Sequence, residues 1–333
     1  MESDRSTFMS RNDIDIFIIV LRIVIKNSFL LPKHSRSICS TINSSLPQKM
    51  RIQGMGDLNK LISLEKERKL RVNSLTISDP HTKTFYEINS TRLHEMTNLT
   101  TLSIDIDTKL NIFPPNITHL ELGWSYKFAL DNLLPNLTHL TVGSPNYSYD
   151  KLPSTLLFLE TEFDFNEPVD NLPELRTLIL NQMFNQPIDN LPFTLTHLTL
   201  KYKFNHPINH LPQCLTHLTL GEEFNQPIDH LPPNLKYLEL GESFNQSIDK
   251  IPRTITHLIL GKSFNQSIEN LNHNLILLKL GTKYDVPIHT ISSTLRELHL
   301  SSNFNHPIDH LIDSLCNLEI LNQRESIRIP FVI

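Results

Sequence analysis

Phe184, Phe204, Phe224, Phe244, Phe264 and Phe304 recur every twenty residues, and Tyr284 fills the one gap in the series. Asn follows each of these Phe residues, and Asp285 follows Tyr284. Strict self-similarity at a short period is the mark of a repeat array, in which each unit contacts only its neighbours. The usual inference from 333 residues to two or three domains does not apply. The chain grows along one axis and needs no single round core.

The unit is clearest from Leu215 to Asn234. With Leu215 as position 1, apolar residues stand at positions 1, 4, 6, 10, 14 and 17. Alternation across positions 4 to 6 predicts a short strand. The remainder has neither helical nor strand period, and Pro227 and Pro232 block a regular helix. Each coil therefore reads as a short strand, a Phe-Asn corner, an irregular or 3₁₀ return, and a Leu-Pro corner. Too few apolar side chains occur per coil to order it alone, so coils must stack, with strands pairing side by side. The predicted fold class is a repeat solenoid with a parallel β-sheet on one face.

The position-4 leucine can be traced outward through Leu178, Leu198, Leu218, Leu238, Leu258, Leu278, Leu298 and Leu318, and upstream through Leu159, Leu140, Leu120 and Leu102. Leu75, in Val72-Asn73-Ser74-Leu75-Thr76-Ile77, is read as the first strand, with a longer insert before Leu102. Three segments result: residues 1–60 as a short N-terminal helical cap, 70–320 as repeats, and 321–333 as a C-terminal tail or cap. Two further columns read as structural. The Asn at position 11 is expected to form a buried ladder of amides, tolerable only if hydrogen-bonded. Gly221, Gly241, Gly261 and Gly281 at position 7 indicate backbone that a side chain would obstruct.

Composition excludes several classes. Net charge is −5, from 30 Lys and Arg against 35 Asp and Glu, so no basic surplus marks a nucleic-acid-binding protein. Cys39, Cys214 and Cys316 lie far apart without a C-x-x-C spacing, which points to a reducing, intracellular (cytoplasmic) setting and no zinc finger. The apolar run Ile14 to Ile25 is broken by Arg22 and falls short of the roughly 18–20 residues of a membrane span, so a buried helix is expected. Triplets such as Asn116-Ile117-Thr118 follow from the repeat itself and are not read as glycosylation sites.

The units Phe204-Asn205-His206-Pro207-Ile208 and Phe224-Asn225-Gln226-Pro227-Ile228, each in a Leu-Pro-bounded coil, resemble FNIP repeats of the social-amoeba and giant-virus type. The resemblance covers roughly residues 95–320. It implies a leucine-rich-repeat-like right-handed coil working in protein–protein interaction. Ser247 and Ser267 depart from the pattern by replacing Pro. Many such proteins carry an F-box before the repeats, a helical domain that docks on the adaptor subunit of a ubiquitin ligase. Residues 13–46 have that texture, with Ile16, Ile19, Val20 and Ile23 on one apolar helix, but lack the leading Leu-Pro. A degenerate F-box and a plain helical cap both remain open, and with the first a role as ligase substrate receptor.

Sixteen histidines raise the question of metal. His119, His139, His197, His217 and His257 all occupy position 3, but Tyr237, Leu277 and Glu297 interrupt the column and no carboxylate or cysteine joins it regularly. Asp189, Asp229, Asp249, Glu269 and Asp309 at position 15 are read as turn caps. No nucleophile triad or phosphate-binding glycine loop is present, so no catalytic residue, metal or cofactor is assigned. The positive evidence is variation. Packing repeats the inward columns, whereas positions 3 and 5 change from coil to coil. The candidate partner-binding residues are therefore His197, Thr199, His217, Thr219, Tyr237, Glu239, His257, Lys279, Glu297 and His299, an extended face suited to an unidentified protein or peptide.

Overall fold

The structure, a computed structural model, describes residues 49–52, 72–78, 88, 90–126, 128, 134–143, 152–161, 163–271, 274–301, 303–308, 319–322 and 326–328. The chain divides into two compact units, Met1–Ile117 and Thr118–Ile333. Residues 13–46, with the apolar run and the F-box-like texture, lie outside the described residues.

In the first unit, β1 (Lys49–Ile52), β2 (Ser74–Ser78) and β3 (Thr101–Asp105) pair in parallel, with Met50 opposite Leu75 and Leu75 opposite Leu102. The expected first strand at Leu75 is thus the second. β1 lies inside the stretch assigned to the helical cap, and its four residues, off the twenty-residue period, gave no repeat signal. The longer insert before Leu102 contains α1 (Ser90–His94), and Ile88, Leu93, Met96 and Leu99 bury its apolar side.

In the second unit every coil contributes one strand, and the strands pair in chain order: β4 (His119–Leu122), β5 (His139–Val142), β6 (Phe158–Glu160), β7 (Thr177–Leu180) and β8 (His197–Leu200). They continue as β9 (His217–Leu220), β10 (Tyr237–Leu240), β11 (His257–Leu260), β12 (Leu277–Lys279), β13 (Glu297–Leu300) and β14 (Glu319–Asn322). All these pairings are parallel, because each return leads back to the same end of the sheet before the next strand begins. β15 (Ser326–Arg328) then pairs antiparallel with β14, within the expected C-terminal cap. One register expectation fails. Ile320, not Leu318, stands opposite Leu298, because the connection before β14 is two residues longer than the period.

Both corners of a coil are hydrogen-bonded turns. The Phe224 N–H donates to the Gly221 carbonyl at 3.2 Å, and the Leu215 N–H donates to the Pro212 carbonyl at 3.1 Å. The same closures recur at Phe244, Leu235 and Ile255. Between them the return is irregular, as its prolines require. All six apolar positions of the Leu215 coil are buried: Leu215, Leu218, Leu220, Phe224, Ile228 and Leu231.

The Phe column forms a continuous stack. Phe165, Phe184, Phe204, Phe224, Phe244, Phe264, Tyr284 and Phe304 follow one another at 5.9 to 6.2 Å between ring centroids, with interplanar angles of 3° to 12°. Offset parallel rings at that spacing gain attraction beyond their buried area. Tyr284 is the odd member. Its hydroxyl is buried with no hydrogen-bond partner among the described residues, and burial, with Glu269 adding a smaller effect, pushes its ionisation far up.

Two polar columns behave differently from expectation. The position-11 amides do form a ladder: the Asn185 Oδ1 accepts from the Asn205 N–H at 3.0 Å, and the link repeats to Asn225, Asn245, Asn265 and Asp285. The ladder is not buried, however, because most of these residues are exposed at the coil corner. The position-15 carboxylates link coils as well as cap turns, the local bond being the one Asp249 accepts from the Ser247 hydroxyl. Asp189 meets His210 at 3.0 Å and Asp229 meets Lys250 at 2.9 Å, each partner lying one coil on. Glycine at position 7 answers to close approach between coils. A Cβ on Gly241 would lie 2.1 Å from the Gly221 carbonyl oxygen, a contact backbone cannot yield to.

Phe224→Ala is expected to cost about 3–5 kcal/mol, as large-to-small aromatic core changes do, while Glu222→Ala stays within about 0.5 kcal/mol. Urea melts of the two variants decide this, and equal midpoints would contradict a core role for the Phe column. Tyr284→Phe keeps the ring and removes the unpaired hydroxyl. Its midpoint is expected to rise, by about 1 kcal/mol, and a fall would mean the hydroxyl has a partner.

Candidate functional site

Strand alternation sends positions 4 and 6 into the core and positions 3 and 5 to the opposite face. Positions 3 and 5 are accordingly half-buried or exposed from β7 to β13. Register brings the predicted residues together on one face. Along position 3, His197, His217, Tyr237, His257, Leu277 and Glu297 stand opposite one another in successive strands. Along position 5 the row is Thr199, Thr219, Glu239, Ile259, Lys279 and His299. All ten predicted residues therefore lie on neighbouring strands, β8 to β13.

Imidazoles in adjacent coils stack closely. The His119 and His139 rings lie 4.1 Å apart at 11°, and His197 and His217 4.2 Å apart at 11°. Tyr237 continues the second pair at 5.8 Å, and His257 follows at 6.4 Å. The two imidazole pairs are closer than rings of the Phe column, where Phe204 and Phe224 are 6.1 Å apart.

The position-2 threonines orient these rings. The Thr216 hydroxyl lies 2.8 Å from the His217 Nδ1 and 3.0 Å from the Thr196 carbonyl oxygen, which already accepts the Thr216 and His217 N–H groups. One hydrogen bond therefore joins hydroxyl and Nδ1, its donor following the imidazole tautomer. The same arrangement recurs at Thr138 with His139, Thr196 with His197, and Thr256 with His257. Rings stacked in parallel point their Nε2 atoms side by side instead of converging on one ion. Among the described residues no group of three or more His, Cys, Asp or Glu is placed to hold a metal.

Other pairs tie the face together. The Tyr237 hydroxyl donates to Glu239 at 2.8 Å, and burial first, then that bond and the carboxylate charge, push its pKa up to about 12. His299 hydrogen-bonds Glu297 in the same way, between positions 5 and 3 of one strand. The face is thus a set of rings and carboxylates held in fixed orientations.

One neighbouring feature escaped the sequence reading. At the turn after the strands, Trp124, Phe163, Met183 and Tyr202 are exposed by 52, 46, 39 and 39%. The Trp124 and Phe163 rings approach to 6.4 Å, and the Lys203 ammonium lies 5.1 Å over the Tyr202 ring while bonding Glu223. These residues occupy positions 8 and 9, just outside the columns that were compared. The chain's single tryptophan, directly after Gly123, was the available signal. The repeated Thr-His-Leu triplet likewise signalled the threonine–imidazole pairing.

Stacked one-strand coils with a repeating leucine core define a leucine-rich-type solenoid. Residues 204–243, 224–263 and 244–283 match the FNIP Repeat family model, and these coils are FNIP repeats. Among solved structures, the chain is similar to CroV588, described as a novel circular LRR protein structure. It shares 26% identity over 82% of this chain and 48% of that one, with a TM-score of 0.52. It is also similar to YopM from Yersinia enterocolitica WA-314, with 20% identity over 71% of this chain and 58% of that one, and a TM-score of 0.44. The chain thus spans about half the length of these structures. No curated protein matches it. Among the described residues no helix is long and apolar enough to cross a membrane.

Burial lowers the His139 and His217 imidazoles, and the stacked neighbours His119 and His197 lower them further, as do His257 and Lys236 for His217. A group with a lowered folded pKa adds stability above its unfolded pKa, about 6.5 here. That stability is lost as pH falls through the lowered folded value. The melting temperature is therefore expected to fall between roughly pH 7.5 and 5.5. Replacing both His139 and His217 by Gln is expected to flatten that slope. Thermal melts across pH check this, and a slope unchanged in the double variant would contradict it.

Proposed function

We propose that this chain is a non-enzymatic protein-binding module whose strand face, from β8 to β13, engages a partner protein or peptide. The observation that carries the reading is the contrast between columns. Positions 4, 6 and 10 repeat nearly unchanged, while positions 3 and 5 vary on the opposite face and stay accessible. Solenoids of leucine-rich type typically bind other proteins, through extended surfaces built from many repeats.

The chemistry of the face fits that role. It is broad and shallow, with aromatic rings, oriented imidazoles and scattered charge, where a small molecule would favour an enclosed pocket. Tyr237 sits near its middle, stacked beside His217 and anchored to Glu239. A rigid, half-exposed aromatic near the centre of an interface is the usual anchor. The aromatic rim at Trp124, Phe163, Met183 and Tyr202 extends the same side with more apolar surface.

Tyr237→Ala and Glu239→Ala are each expected to weaken partner capture, the tyrosine by about 2 kcal/mol or more, with melting behaviour nearly intact. Affinity capture of the full chain from its host cells, followed by titration of the partner recovered, measures this. Variants at His230 and Lys250 on the return side are the control. Loss of binding in those variants, with Tyr237→Ala unaffected, would place the interface elsewhere.

A further inference from the structure

A second surface, away from the varied columns, lies at the corner that leads into β11, β12 and β13. An open depression of about 690 Å³ is lined there by residues of three successive coils, among them Arg253, Asn274, Ile276, Ser293 and Arg296. Every residue lining it is neutral or cationic. Both arginines are exposed, and neither guanidinium has an ion-pair partner among the described residues.

The chain carries a net charge of −5, yet no carboxylate lines this depression. The carboxylates of the same coils are engaged elsewhere. Asp249 accepts from Ser247 and Asn270, Glu269 faces His289 at 3.6 Å, and Glu297 bonds His299. The floor of the depression is held rigidly. Thr254 and Thr294 donate their hydroxyl protons to the carbonyls of Pro233 and Leu275, the Thr256 hydroxyl is hydrogen-bonded to the His257 Nδ1, and the Asn274 amide donates to the Arg253 carbonyl at 2.9 Å. The donors left for a ligand are the two guanidinium forks and the Ser293 hydroxyl.

We propose that this corner binds a phosphoryl group between Arg253 and Arg296. Strands two apart lie roughly 10 Å from each other, so side chains rooted beside β11 and β13 reach toward one ligand above β12. Two guanidiniums offer more N–H donors than a carboxylate has lone pairs to fill, whereas a tetrahedral dianion accepts from both forks and neutralises both charges. Ile276, exposed in the middle coil, provides apolar contact for the carbon stem of a phosphorylated side chain. The site does not depend on the strand-face reading, since Tyr237 and Glu239 take no part in it.

The test titrates the full chain with a fluorescein-labelled, alanine-flanked phosphoserine peptide, its unphosphorylated twin, and inorganic phosphate as competitor. The phosphorylated peptide is expected to bind roughly tenfold or more tighter than its twin. Arg253→Gln and Arg296→Gln should each weaken binding by a similar factor, and the double variant should abolish it. Both side chains are exposed, and a thermal melt verifies that each variant remains folded. Inorganic phosphate competing as well as the peptide would identify a free anion as ligand. A peptide at least tenfold better than inorganic phosphate would identify a phosphorylated side chain, and either result supports the site. Equal binding of the two peptides without competition by inorganic phosphate, or binding unchanged in the double variant, would overturn it. Tyr237→Ala is expected to leave this binding intact.

Discussion

The strands, the amide ladder and the aromatic core of this solenoid all find their partners in neighbouring coils. The strand N–H and C=O groups pair with the strands before and after, the position-2 hydroxyls reach the preceding carbonyl, and the position-11 amides accept from the next backbone. The aromatic core is shared in the same direction, ring on ring, from Phe165 to Phe304. A single coil has too little core to offset the loss of chain entropy, so order arises only where neighbours are already in place. That dependence favours a near-constant coil length, and the coils of 19 and 22 residues keep their strand pairing because the returns take up the difference.

The same requirement creates the candidate surface. Parallel stacking places equivalent residues of successive coils side by side, so a position free of packing duty becomes a row along the sheet. Positions 3 and 5 are such rows. Stacking then turns separate histidines into pairs, and the threonine beneath each ring orients it through a hydrogen bond at Nδ1. Repetition therefore supplies rigidity, and departures from repetition supply chemistry. Tyr237, Glu239, Lys279 and Glu297 are departures of this kind. So are the unpaired arginines at the opposite end of the strands, where the position-2 and position-19 columns lose their usual neutral residues.

Much of this was legible in the residues. The spacing of Phe and Leu revealed the coil, the prolines the corners, and the alternation the buried and exposed strand positions. The polar columns were harder. Asn225 and its equivalents read as buried because amides in ladders often are, yet they lie at an exposed corner, and nothing in the local sequence separates the two cases. Asp229 read as a local turn cap, but its partner Lys250 belongs to the next coil. Ile320 replaced Leu318 in the register because a longer connection shifts the strand without altering its local pattern. In each case the residue type was right for its role and the partner lay one coil away.

The sequence by itself determined the period, the inward columns and the one-dimensional growth of the chain. These depend on which side chains are apolar and how far apart they stand, and a local pattern records both. The tertiary structure alone decided the stacking of His197 on His217, the backbone approach that requires Gly241, and the placing of Arg253 and Arg296 on one depression. Those features depend on the distance and rotation between one coil and the next. No residue within a coil encodes that geometry, because it is set only when two coils pack.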